Sequence, residues 1–208
     1  MFKKAFASAL IFLAASAANA NVISNGGFEN GTFSSWTATG NVAVTGPHPE
    51  TGLFYFGGGS VEKNGNALVA FNGGQGEPNG VISQVFGTTK GTEYLVMFDF
   101  GATANGLQNI IANIFGADSA ALLTSFDKAT GTNTPTDLQT FSFSFIADGG
   151  SARLQFVDSP SNNSFNQDGL LDNVSVSEVP EPTSIALMGL GLFGFAASRR
   201  KAAKSKRA

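Results

Sequence analysis

The chain has 208 residues, with 12 Lys or Arg, 15 Asp or Glu, a single histidine and no cysteine, for a formal net charge of −3. The charge is unevenly spread: residues 21–180 hold 14 acidic residues against four basic ones, Lys63, Lys90, Lys128 and Arg153, a net of −10, while the remaining basic residues sit at the two extremities. An acidic middle argues against nucleic acid, whose affinity comes from Lys and Arg on phosphate, and the absence of cysteine excludes disulfides and a thiol nucleophile.

In chain order, the first element is a short leader. Lys3 and Lys4 precede an apolar run from Ala5 to Ala17 and a small-x-small triplet, Ala18-Asn19-Ala20. The pattern predicts a signal peptide over residues 1–20, cut by signal peptidase at a site marked by Ala18 and Ala20. An exported domain without cysteine must then be held by burial, hydrogen bonding or a bound ion.

Residues 21–178 offer one domain's worth of chain. They contain 23 Gly and 15 Phe, with many Thr, Ser, Asn and Val and few helix formers in series. Glycine supplies positive-φ turns, and Phe, Val and Ile suit a pleated, half-buried surface. Strands are predicted at 41–45, 67–71, 81–86, 93–100, 109–115, 141–145, 153–157 and 170–176. The alternation is clearest in Phe141-Ser142-Phe143-Ser144-Phe145, with aromatics on one side and hydroxyls on the other. Gly57-Gly58-Gly59, Gly73-Gly74, Asn105-Gly106, Asp148-Gly149-Gly150 and Asp168-Gly169 separate the strands. Eight or more short strands make an all-β, jelly-roll β-sandwich the natural arrangement, a closed barrel being the other all-β solution. Residues 130–136 and 159–169 read as long surface loops.

The last segment, 179–208, combines Val179-Pro180-Glu181-Pro182, an apolar stretch from Thr183 to Ser198, and a basic cluster opening with Arg199 and Arg200. As a helix the 16-residue stretch would extend about 24 Å, short of the roughly 30 Å hydrocarbon core but able to insert if its flanks snorkel. A single C-terminal transmembrane helix is therefore predicted, with the basic cluster cytoplasmic and everything before Val179 on the outer side. Motif, apolar run and basic cluster in this order resemble the PEP-CTERM sorting signal of bacterial exosortase substrates. The resemblance implies that an exosortase in the membrane recognises Pro180-Glu181-Pro182. It further implies release to, or attachment at, the cell surface or exopolysaccharide matrix of a Gram-negative bacterium.

Three patterns within 21–178 carry a second resemblance: Asn25-Gly26-Gly27-Phe28-Glu29 with Phe33 and Trp36 behind it, Ile82-Ser83-Gln84-Val85-Phe86 leading to Tyr94 and Phe98, and Leu171-Asp172-Asn173-Val174-Ser175-Val176. Together they are similar to the galactose-binding-like jelly roll of many carbohydrate-binding modules. That family often holds one structural calcium, and the resemblance implies Glu29 and Asp172 as its side-chain ligands, with main-chain carbonyls completing the oxygen shell. The bland alternative is that the two residues cap turns.

Sugar binding would need exposed aromatic faces framed by polar groups. Tyr55, in Leu53-Phe54-Tyr55-Phe56, and Phe165, in an Asn-rich loop, are the candidates, whereas Trp36 reads as core. Catalysis finds little support: His48 stands alone between Pro47 and Pro49, and no nucleophile elbow, zinc-binding helix motif or phosphate loop is present. The expectation is a non-enzyme, an exported surface or matrix protein whose sandwich binds carbohydrate. The alternative is a structural or adhesive matrix component without a ligand pocket.

Overall fold

In the computed structural model the described residues are 20–46, 54–56, 59–61, 65, 67–71, 79–102, 109–116, 121–129, 136–158 and 169–180. They contain twelve strands and no helix: β1 Thr37–Thr39, β2 Val42–Thr45, β3 Phe54–Phe56, β4 Gly59–Val61, β5 Leu68–Phe71, β6 Val81–Gly87, β7 Glu93–Ala102, β8 Asn109–Gly116, β9 Leu122–Ala129, β10 Thr136–Ile146, β11 Ser151–Asp158 and β12 Gly169–Glu178. Residues 20–179 form one compact unit.

Ten strands build two five-stranded antiparallel sheets. Sheet A runs β1-β6-β11-β8-β9, sheet B runs β10-β7-β12-β5-β2, and β3 pairs with β4 alone. Each predicted strand is present. In β8 and β11 every second residue is buried, the mark of a strand with one face on a core and one toward solvent. Ile82, Phe86, Ile110, Ile114, Leu154 and Phe156 point inward from sheet A, against Val69, Phe71, Tyr94, Val96, Phe98 and Leu171 from sheet B.

Packed aromatic rings explain how a cysteine-free domain holds together. Phe98 lies at the centre with no exposed area, its ring 5.1 Å from Phe156, 5.8 Å from Phe126 and 6.0 Å from Phe141, mostly tilted or edge to face. Toward one end Tyr94 stacks on Phe145 at 5.5 Å, and toward the other Trp36 packs on Phe28 at 5.5 Å and Phe156 at 6.4 Å. Each fully buried aromatic contributes about 1.5–3 kcal/mol of apolar burial, and each such pair about 0.5–1.5 kcal/mol beyond that. Trp36 is core, with its indole Nε1 donating to the Asn25 carbonyl at 3.1 Å.

Part of sheet B is covered on both sides. Leu68, Ala70 and Leu170 form a second buried cluster with Leu138, next to Val69, Phe71 and Leu171 of the main core. Double coverage accounts for the continuous apolar runs Leu68–Phe71 and Leu170–Leu171.

Candidate functional site

The opening segment is pinned across the end of β12. Val22 N donates to Val176 O at 2.8 Å and Val174 N donates to Gly26 O at 2.9 Å. The Asn21 side-chain oxygen accepts from Ile23 N and from Val176 N. Asn25 and Phe28 adopt left-handed backbone, φ 52° and 53°, so the chain doubles back. Asn25 Nδ2 closes that loop onto the carbonyls of Thr32 and Ser34. The Asn-Gly-Gly-Phe-Glu segment is thus a knot that seats Phe28 in the core and presents Glu29 beside it.

Facing this knot, β12 carries a bulge. Asp172 pairs with Asp99 of β7 and Ser175 with Met97, so three steps on β12 match two on β7. The extra residue needs a local kink, supplied by Asn173 at φ 50°. Asn173 Nδ2 donates to Asp99 Oδ2 at 2.8 Å and Thr140 Oγ1 donates to Asp99 Oδ1 at 2.6 Å. Asp172 is fully buried; its Oδ1 accepts from Asn173 N at 2.7 Å, while Oδ2 has no hydrogen-bond partner.

Two glycines locate Glu29 in the same place. A Cβ added at Gly27 would lie 3.7 Å from Glu29 Cγ, 3.8 Å from Asn173 Oδ1 and 4.0 Å from Asp172 Oδ1. Gly65, between β4 and β5 at φ 90°, has the Glu29 carboxylate directly against the position of a side chain it lacks. Three segments distant in sequence therefore meet here: the N-terminal knot, Gly65 and the β12 bulge. Burial pushes the Asp172 carboxyl up to about 7; the Asn173 N–H works the other way, and the nearby Glu29 and Asp99 carboxylates add to the rise.

The side-chain groups that meet here are all oxygen: the Glu29 and Asp172 carboxylates and Asn173 Oδ1. These are the donors that a hard divalent cation such as Ca²⁺ would need, and the unsatisfied, buried Asp172 Oδ2 would suit such an occupant. Among the described residues no cluster of three or more His, Cys, Asp or Glu could hold a metal, so carbonyls and Asn173 would supply the remaining ligands. Asp99 serves the site indirectly, holding Asn173 in position.

Of the sequence-derived candidates, Glu29 and Asp172 are brought together. Tyr55 lies on β3, its backbone opposite Ser60 of β4, with its side chain outside the described residues. Phe165, Ala18, Glu181, Pro182, Arg199 and Arg200, with residues 1–19 of the predicted 1–20 signal peptide and the apolar stretch, also lie outside them. Ala20 is exposed. No helix among the described residues is long and apolar enough to cross a membrane. Glycoside hydrolysis would need a pair of carboxylates facing an open cleft; Asp99, Asp158 and Asp172 are all buried, and Asp168 lies outside the described residues.

A second surface was not singled out from sequence, the outward face of sheet A. The strand register aligns Val85, Arg153, Phe115 and Leu122 in one row across β6, β11, β8 and β9, and Thr37, Ser83, Gln155, Asn113 and Ser125 in the next. Val85 and Leu122 are 63% and 54% exposed. Arg153 and Phe115 are half-buried, with the guanidinium carbon 4.6 Å from the ring centroid.

At the far end of β12, Val179 N donates to Glu93 O at 2.8 Å and the following Pro180 is exposed. Proline has no N–H, so the ladder stops there. Residues 178–201 match the PEP-CTERM protein-sorting motif. The sorting motif therefore begins on the last residue of the sandwich's final strand. Among curated proteins none matches the chain. Solved structures similar to it include the TmCBM61 module in complex with β-1,4-galactotriose, at 17% identity over 77% of this chain and 99% of that one, TM-score 0.52. A second is the CBM22-1–CBM22-2 tandem of Paenibacillus barcinonensis Xyn10C, at 16% identity over 81% and 49%, TM-score 0.51. A third is the enzymatically active domain of tailspike protein 4 from bacteriophage CBA120, at 15% identity and TM-score 0.52; the match covers 76% of this chain and 21% of that one. At these identities the likeness is one of fold, the jelly-roll sandwich of carbohydrate-binding modules.

Proposed function

We propose that the chain is an exported protein, processed by signal peptidase after Ala20 and by an exosortase at Pro180-Glu181-Pro182. Its β-sandwich then binds polysaccharide without catalysing its turnover, at the cell surface or in the exopolysaccharide matrix of a Gram-negative bacterium. Before the second cut the apolar segment 183–198 holds it in the membrane. The observation that carries this reading is the direct junction of a module-like sandwich to the sorting motif, with β12 ending at Glu178 and the motif starting at the same residue. The galactotriose complex of the similar TmCBM61 module supports a glycan as the ligand class. One structural Ca²⁺ held by Glu29 and Asp172 belongs to the same proposal.

The test has two arms. The intact mass of the chain recovered from the bacterial surface is expected to lack both extremities; a chain retaining Met1 and residues past Pro182 overturns the processing. Affinity electrophoresis of the full-length chain against a polysaccharide panel is expected to show retardation with no release of reducing sugar, and Tyr55→Ala or Phe165→Ala to weaken it. Retardation by no polymer overturns the binding.

The alternative, a structural matrix component, is favoured by one observation: on the outward face of sheet A the aromatic among the described residues, Phe115, is overlain by Arg153 rather than bare. A silent binding panel with normal surface delivery would select that reading.

A further inference from the structure

We propose that the outward face of sheet A is selective for acidic polysaccharide, with Arg153 receiving a carboxylate of a uronic acid unit; this rests on the polysaccharide-binding reading above. Residues 21–180 carry four basic side chains against 14 acidic ones, and one of those four stands in the middle of an exposed sheet face. Arg153 is placed by β11 between Val85 of β6 and Phe115 of β8, and its guanidinium lies on the Phe115 ring. Among the described residues it meets no carboxylate, although the domain is rich in them.

The geometry suits an anion arriving from solvent. The guanidinium carbon lies 4.6 Å from the Phe115 ring centroid, a contact that holds the side chain in place and leaves less freedom to lose on binding. A planar carboxylate can then take two parallel hydrogen bonds, which a hydroxyl cannot match. The neighbouring row offers hydroxyls and amides, Ser83, Gln155 and Asn113, aligned across β6, β11 and β8, suited to the hydroxyls of the adjoining sugar ring. Val85, beside Arg153, and Leu122, beside Phe115, flank the contact with exposed apolar surface. The acidic remainder of the domain repels a polyanion at long range, but beyond about 8 Å that repulsion is largely screened at physiological ionic strength. A single well-placed cation therefore selects for carboxylates without making the protein a general polyanion binder.

The experiment compares polygalacturonate, or alginate, with the same polymer after its carboxylates have been reduced to hydroxymethyl groups, using the full-length chain in detergent and affinity electrophoresis. The parent chain is expected to bind the acidic polymer at least about ten-fold more tightly than the reduced one. Arg153→Gln is expected to remove that preference, and Arg153→Lys, which keeps the charge but not the fork, to retain only part of it. Equal affinity for both polymers, or a preference that survives Arg153→Gln, overturns the selectivity while leaving polysaccharide binding intact. Binding to neither polymer, with none across a neutral panel, overturns the underlying function as well. The comparison of polymers requires no variant, so a misfolded substitution does not shield the proposal.

Discussion

Asp172 and Asp99 are direct cross-strand partners on β12 and β7, two carboxylates side by side in opposite circumstances. Asp99 accepts hydrogen bonds from Thr140 and Asn173, whereas Asp172 accepts one from the Asn173 main chain and keeps Oδ2 without a partner. Like charges directly opposed across strands are destabilising, so the pair favours either a proton or a cation at Asp172.

The proton gives the first prediction. The Asp172 carboxyl is raised from 3.8 to about 7, so in metal-free protein the folded state binds a proton more tightly than the unfolded one. The resulting stability is present in full below about pH 4 and is lost as pH rises through about 7. Metal-free chain should therefore show, for this group, a falling melting midpoint between pH 5 and 7.5, and Asp172→Asn should flatten that slope. A parent and variant with parallel profiles would remove Asp172 from the account.

The cation gives the second. Ligand present at 100 times its dissociation constant stabilises by about 2.7 kcal/mol, which for a domain of this size raises the midpoint by roughly 5–10 °C. Calorimetric melting at pH 7.5 with Ca²⁺ should exceed that with chelator by this amount. Asp172→Asn or Glu29→Gln should abolish most of the difference. An identical midpoint in both buffers sinks the calcium assignment.

Gly65→Ala should disrupt the same site from a third segment. The backbone there is left-handed and a methyl group would strike the Glu29 carboxylate, so the substitution should cost about 1–3 kcal/mol and reduce the Ca²⁺-dependent rise. Gly91→Ala provides the control, since its φ of 84° carries the same strain and no atom lies near its missing side chain. Equal responses to Ca²⁺ in the two variants would separate Gly65 from the site.

Truncation of the core should be far more costly than any change on the sheet A surface. Phe98→Ala is expected to lose about 3–5 kcal/mol in urea titration, because four neighbouring rings cannot all collapse into the gap. Val85→Ser, at a position 63% exposed, should stay within about 0.5 kcal/mol of the parent. A similar loss in both would mean that the aromatic centre is not what holds the fold.

Sequence patterns revealed the strands whose two faces differ in environment. Phe141–Phe145, with Ser142 and Ser144 between the rings, could be read at sight, and so could the Asn25–Glu29 opening and the Leu171–Val176 closing strand. Strand β9 escaped because its pairing slips between Ile114 and Phe115, which breaks the two-residue period in Leu122-Leu123-Thr124-Ser125-Phe126. Asp99 and Asn173 escaped as members of the site because their roles depend on a bulge, and a bulge is a property of two paired strands that neither displays alone. The Arg153–Phe115 contact depends likewise on β11 and β8 lying in register, 38 residues apart in the chain. Glu29 and Asp172 follow from family resemblance; the approach of the Glu29 carboxylate to Gly65 has no local signature beyond a glycine among many.

The hydrogen bond from Val22 to Val176 places the start of the sandwich about three residues of strand, roughly 10 Å, from Val179. The two ends of the compact unit 20–179 therefore leave it close to one another.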